Sequence, residues 1–105
     1  MKVKWENRAE AEFYKILTYG KETFGRRCVQ NLQKEVELQT IRLGLFPQLG
    51  SIEYCLLDLE KAYRSIVVYP HFKLIYYIDE TYETIYIVDV WDTRMNPTKL
   101  VRRFR

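Results

Sequence analysis

The second half of the chain carries three β-rich runs in succession, YRSIVVY, FKLIYYI and TIYIVDVW, broken only by Pro70-His71 and by DETYE at 79–83. Val, Ile and Tyr suit a pleated, half-buried backbone. Breaks this short leave no room for a crossover, so neighbouring strands must run antiparallel. The pattern predicts strands over about Tyr63–Tyr69, Phe72–Ile78 and Thr84–Trp91, joined as a meander. With 105 residues in all, the rest of the chain has one core to share, and it must pack on that sheet.

The first half supplies the packing. Val3 and Trp5 alternate with Lys2 and Lys4, which predicts a short strand with one buried face. Asn7 with Glu10 three residues on reads as a capping box. The helix that follows puts Ala9, Phe13, Ile16 and Leu17 on one side and is expected to end near Gly20. A second helix is expected from Glu22 or Thr23, with Val29, Leu32, Val36 and Leu43 inward and Gln33, Lys34 and Glu37 toward water. Gly44 is placed as its C-cap, and Pro47 blocks continuation. The short link between the two makes them an antiparallel hairpin. SIEYCLLDLEKA, residues 51–62, fits both a short helix and an irregular strand. One or two helical turns are expected after Pro97. The fold class is therefore α+β, in a single domain over residues 1–105, with the helical hairpin on one face of the sheet.

Composition excludes several alternatives. A chain that is 48% hydrophobic and 30% charged, with 4 Gly and 3 Pro, is neither disordered nor of low complexity. Cys28 and Cys55 show no ligand spacing, and one His cannot complete a zinc set, so no metal and no cofactor are expected. The two cysteines read as reduced, buried thiols. The first residues contain no hydrophobic leader and the longest apolar runs are strand-sized, so the expectation is a cytoplasmic protein with no membrane span.

One hairpin is too little to cover a sheet whose strands, as in LIYYI, look apolar on both faces. The second face needs a partner, or its tyrosines line a binding groove. Nine tyrosines favour a contact surface, because each joins apolar area to a hydroxyl. Tyr76 and Tyr77 point to opposite faces, so at most one of them lines such a groove.

Charge is distributed unevenly. Five of the 17 basic side chains and none of the 14 acidic ones fall after Thr93. A basic end of this kind suits phosphate or an acidic protein, and equally suits a solvated terminus. His71, at the expected hairpin turn, is the one candidate for proton transfer near neutral pH. Arg64 and Lys73 lie on adjacent strands and Arg94 follows the third, so a meander could gather three cations to hold a phosphodiester or an acidic helix. The alternatives are an edge charge for Arg64 and an ion pair with Asp89 or Asp92 for Arg94. P-loop, dinucleotide, nucleophile-elbow and zinc-protease motifs are absent. Metal-free cleavage of RNA remains open, because the 2′-hydroxyl is itself the nucleophile and the protein need only orient it and stabilise charge.

The run YRSIVVYPHFKLIYYIDETYETIYIVDVWDTRMNP, preceded by LFPQLG and a helical hairpin, resembles the RelE/ParE superfamily of toxins from bacterial type II toxin–antitoxin systems. YRSIVV, KLIYYI and WDTRMNP carry the likeness most specifically. The resemblance implies the α+β fold above and a cognate antitoxin whose helical segment wraps the toxin. It also implies one of two activities: ribosome-dependent mRNA cleavage without metal, or non-enzymatic inhibition of DNA gyrase. A third outcome is a member that binds antitoxin and has lost toxicity. In the ribonuclease branch Arg94 and Lys73 would clamp the scissile phosphate, Arg64 would steer the backbone, and His71 or a tyrosine would move the proton. That branch carries an arginine where this chain has Val68 and Tyr69, and a hydroxyl-bearing residue where the tail has Phe104.

Overall fold

A computed structural model describes residues 1–104. The elements are β1 (Lys2–Trp5), α1 (Asn7–Phe24), α2 (Arg26–Leu45), β2 (Ser51–Ile52), β3 (Arg64–Val68), β4 (Phe72–Asp79), β5 (Thr84–Asp92) and α3 (Pro97–Arg103). They form the expected α+β arrangement around one mixed, five-stranded sheet of order β1-β5-β4-β3-β2. The meander β3-β4-β5 is antiparallel, whereas β1 joins β5 in parallel, Val3 facing Ile85 and Trp5 facing Ile87. Residues 51–62 resolve into the two-residue edge strand β2 and a 3-10 turn over Tyr54–Leu56.

The helix boundaries move for identifiable reasons. Asn7 is not the N-cap of α1. The Glu6 amide still donates to Ile87 O at 2.9 Å, so the chain passes from strand pairing directly into the helix, and Glu6 takes the cap position without a side-chain bond. Gly20 does not end α1: a Cβ there would lie 3.3 Å from Val29 Cγ2, so the residue serves close approach of the two helices. The turn comes instead at Gly25, whose φ of 91° favours glycine. Gly44 is likewise inside α2. Its carbonyl accepts from the Met1 ammonium at 2.8 Å, and the helix runs on to Leu45.

The sheet has a core on each face. Against the hairpin, Ala9, Val36 and Leu43 pack on Ile66, Val68, Leu74, Tyr76, Ile85, Ile87 and Val90. The other face buries Leu56, Ile75, Val88, Trp91 and Leu100, so α3 and the Tyr54–Leu56 turn supply part of the second cover. Tyr76 belongs to the first core and Tyr77 to the rim of the second, on opposite faces as alternation requires. Inward positions on β5 are spaced 85, 87 and then 90, a break in the two-residue period. The cause is a β-bulge: Ile75 faces Asp89 and Tyr76 faces Ile87, leaving Val88 without a partner.

Cys28 and Cys55 are free thiols but both are exposed, which corrects the expectation of burial. Cys28 is on the outward side of α2 and Cys55 is in the 3-10 turn, where Leu56 takes the buried position. No helix among the described residues is long and apolar enough to cross a membrane.

Candidate functional site

The four residues singled out from the sequence occupy different surroundings. Arg64 pairs across the sheet with Tyr76, on the hairpin side, and donates to Gly50 O at 2.8 Å. It pins the loop before β2. Tyr76 completes that anchorage: its hydroxyl donates to Pro47 O and accepts from Gly50 N, both at 2.9 Å.

Lys73 lies three registers along the same strand pair, about 10 Å away, and on the opposite face, where it sits across from Trp91. Its ammonium is 3.0 Å from the buried carboxylate of Glu53, which also accepts from Ser65 Oγ at 2.7 Å. Burial opposes ionisation of Glu53. The Ser65 and Lys73 hydrogen bonds and the Lys73 charge together outweigh it, so its pKa lies below the ordinary value.

Arg94 and His71 share one end of the sheet. Arg94 grips Asp92 with Nε and Nη2, at 3.1 and 2.9 Å. Those bonds, with a smaller contribution from His71, hold the Asp92 carboxyl below the usual range, and the same pairing keeps Arg94 firmly charged. The His71 carbonyl accepts from the amide and hydroxyl of Thr93, both at 2.8 Å, and its ring packs on Phe72. The expected convergence of Arg64, Lys73 and Arg94 on one surface is therefore corrected: strand alternation sends Lys73 to the face away from Arg64, and Arg94 turns back onto Asp92.

Asp89 is not the partner of Arg94. The bulge at Val88 places it under α3, where Arg103 Nη1 binds both carboxylate oxygens at 2.9 Å. Arg103 also approaches Glu12 at 3.6 Å and covers the Trp91 ring at 4.8 Å, and its carbonyl accepts from Arg8 at 2.6 Å. Burial pushes the Asp89 pKa up, and Arg103 only partly offsets it. Of the basic tail, then, Arg103 is spent inside the fold, while Lys99 and Arg102 face solvent. Arg103 and Glu53 are the residues that sequence reasoning missed. Neither has its partner within the short spacing that makes an ion pair legible in a sequence. Among the described residues no group of three or more His, Cys, Asp or Glu side chains could hold a metal ion.

Residues 3–97 match the family model described as "ParE toxin of type II toxin-antitoxin system, parDE". The chain belongs to the ParE toxin family. A ParE-type toxin is one half of a toxin–antitoxin pair, so an antitoxin is its counterpart. The fold is also that of a solved structure described as "Chromosomal ParDE TA system from P. aeruginosa", with a TM-score of 0.69 over 88% of this chain and 95% of that one, at 15% identity. Among curated proteins none matches the chain. The family match ends at Pro97, the first residue of α3, so Asp89 lies within the matched residues and Arg103 beyond them.

Proposed function

We propose that the chain is a growth-arresting toxin that inhibits DNA gyrase by binding it, without cleaving RNA, and that its antitoxin neutralises it by covering the toxin surface. The observation that carries this reading is the dispersal of Arg64, Lys73, Arg94 and His71. In-line cleavage of a phosphodiester needs cations, and a group that moves the proton, held around one phosphate. Here Lys73 and Arg94 are each bound to a carboxylate and Arg64 to a carbonyl, on two faces of the sheet. Inhibition by docking asks only for a surface, which the exposed Lys99 and Arg102 and the rim of the sheet provide.

Purified protein added to a gyrase supercoiling assay tests the reading. Loss of supercoiling, reversed by the antitoxin, is the expected result. Cuts within codons of a translated reporter message, with gyrase unaffected, would overturn it in favour of the ribonuclease.

A further inference from the structure

The face of the sheet away from the hairpin is only partly covered by α3. Beside α3 lies an open groove of about 710 Å³. Its walls are the start of α1 with Glu6 and Arg8, the segment carrying Lys61 and Tyr63, and Phe104 after α3; Tyr77 lies at its floor. Arg103, already held by Asp89, also lines the groove, whereas Arg64, Lys73, Arg94 and His71 do not.

Aromatic rings run through this region without a break. Tyr86 stacks on Tyr77 at 5.3 Å, Tyr77 meets Tyr63 edge-on at 6.0 Å, and Tyr63 meets Phe104 at 4.9 Å. Two cations sit over those rings: Lys61 Nζ is 4.2 Å from the Tyr77 centroid and Arg8 Cζ is 5.5 Å from that of Phe104. Neither forms an ion pair among the described residues, and Arg8 uses Nη1 to donate to Arg103 O, leaving its other N–H groups for a ligand. Burial raises the pKa of Tyr63, so its hydroxyl stays a protonated donor between them.

We propose that this groove binds a single strand of nucleic acid, with bases packing on the Tyr63, Tyr77 and Phe104 rings and a backbone phosphate taken by Lys61 and Arg8. Each nucleotide brings one planar ring and one anion, the pairing of features that repeats along the groove. An acidic peptide supplies carboxylates but no regular series of rings. The groove is open to solvent, which suits a chain laid across it better than an enclosed small molecule. Lys61 rests on the exposed face of Tyr77 and moves aside easily, exchanging the ring for the phosphate. Glu6 at the rim repels phosphate but accepts the exocyclic amino group that cytosine carries and thymine lacks, so strands rich in cytosine are favoured over thymine. The inference goes beyond gyrase inhibition and does not depend on it.

Fluorescence anisotropy of labelled oligo(dC), oligo(dT) and oligo(C) with the purified full chain tests the site, the DNA and RNA arms separating the two sources of strand. Binding to oligo(dC) or oligo(C) is expected to weaken about tenfold in Lys61→Glu and in Tyr63→Leu, with circular dichroism unchanged. Lys61 is exposed, so its variant folds even where the Tyr63 variant does not. No binding to either strand, binding unaffected by Lys61→Glu, or stronger binding of polyglutamate than of the oligonucleotides would each overturn the proposal. Because the readout is binding by the isolated protein, failure here leaves the supercoiling result unchanged.

Discussion

Arg103 binds both oxygens of the Asp89 carboxylate through a single nitrogen, Nη1, at 2.9 Å to each, across a separation of fourteen residues. Its other amino nitrogen turns toward Glu12 on α1. One guanidinium thus joins the last helix, the last strand and the first helix. The carboxylate is wholly buried, so the bond satisfies a charge that has no water to fall back on.

Arg103→Ala is therefore expected to destabilise the fold by about 3 kcal/mol, because it leaves an unpaired charge inside. Urea denaturation should show a lower midpoint with the slope unchanged. The double variant Asp89→Leu, Arg103→Met should recover most of the loss, since the pair also bears the cost of desolvating both ions.

Tyr76→Phe removes a hydroxyl that bridges Pro47 O and Gly50 N and leaves both without that partner. A loss of about 1–3 kcal/mol is expected in the same measurement. Gly50→Ala should also destabilise, by about 1–3 kcal/mol, because a Cβ there would stand 2.5 Å from Ser65 O and 2.8 Å from the Tyr76 ring.

Acid should act through Glu53. Its folded-state pKa lies below the ordinary 4.5, so the folded state releases this proton more readily than the unfolded chain does. Its contribution is present above 4.5 and is lost as pH falls through the lowered value. Asp89 acts in the opposite sense. Its pKa is raised above the ordinary 3.8, so its contribution is greatest below that value and declines as pH rises through the raised one. Glu53→Gln should flatten the fall in stability on acidification below about pH 4.5, measured by thermal melts at stepped pH.

His71→Ala and Arg94→Ala should leave growth arrest within about threefold of the parent in an induction titration, far from the 10²–10⁴-fold loss expected of a catalytic acid or base. Arrest abolished by either substitution, in protein that still folds, would restore the ribonuclease reading.

The three-strand meander and the helical hairpin were legible because period-2 and period-3.6 apolar patterns state which face is buried. Glycine was harder to read. Gly20 and Gly44 looked like helix stops, yet both lie inside helices where another part of the chain comes close, a tertiary fact with no local signature. Of the two carboxylates offered to Arg94, Asp92 takes it and Asp89 does not, for a related reason. Arg94 stands five residues away and Arg103 fourteen, and only the bulge at Val88, invisible in the alternation of apolar residues, turns Asp89 toward the farther one. Convergence of the cations failed on strand parity. Arg64 and Lys73 are close in sheet order but opposite in face, and the connection between β3 and β4 decides that parity.

The parallel seating of β1 against β5 has a consequence for how the toxin is made. Lys2 has no strand partner until Thr84 has been synthesised, and Trp5 none until Ile87. A growing chain that has completed both long helices still lacks the strands that cover their apolar faces. Contacts this distant in sequence close late and slowly. Acquisition of the folded, toxic shape is thereby deferred until β5 has been made, when an antitoxin already present can meet the surface as it forms.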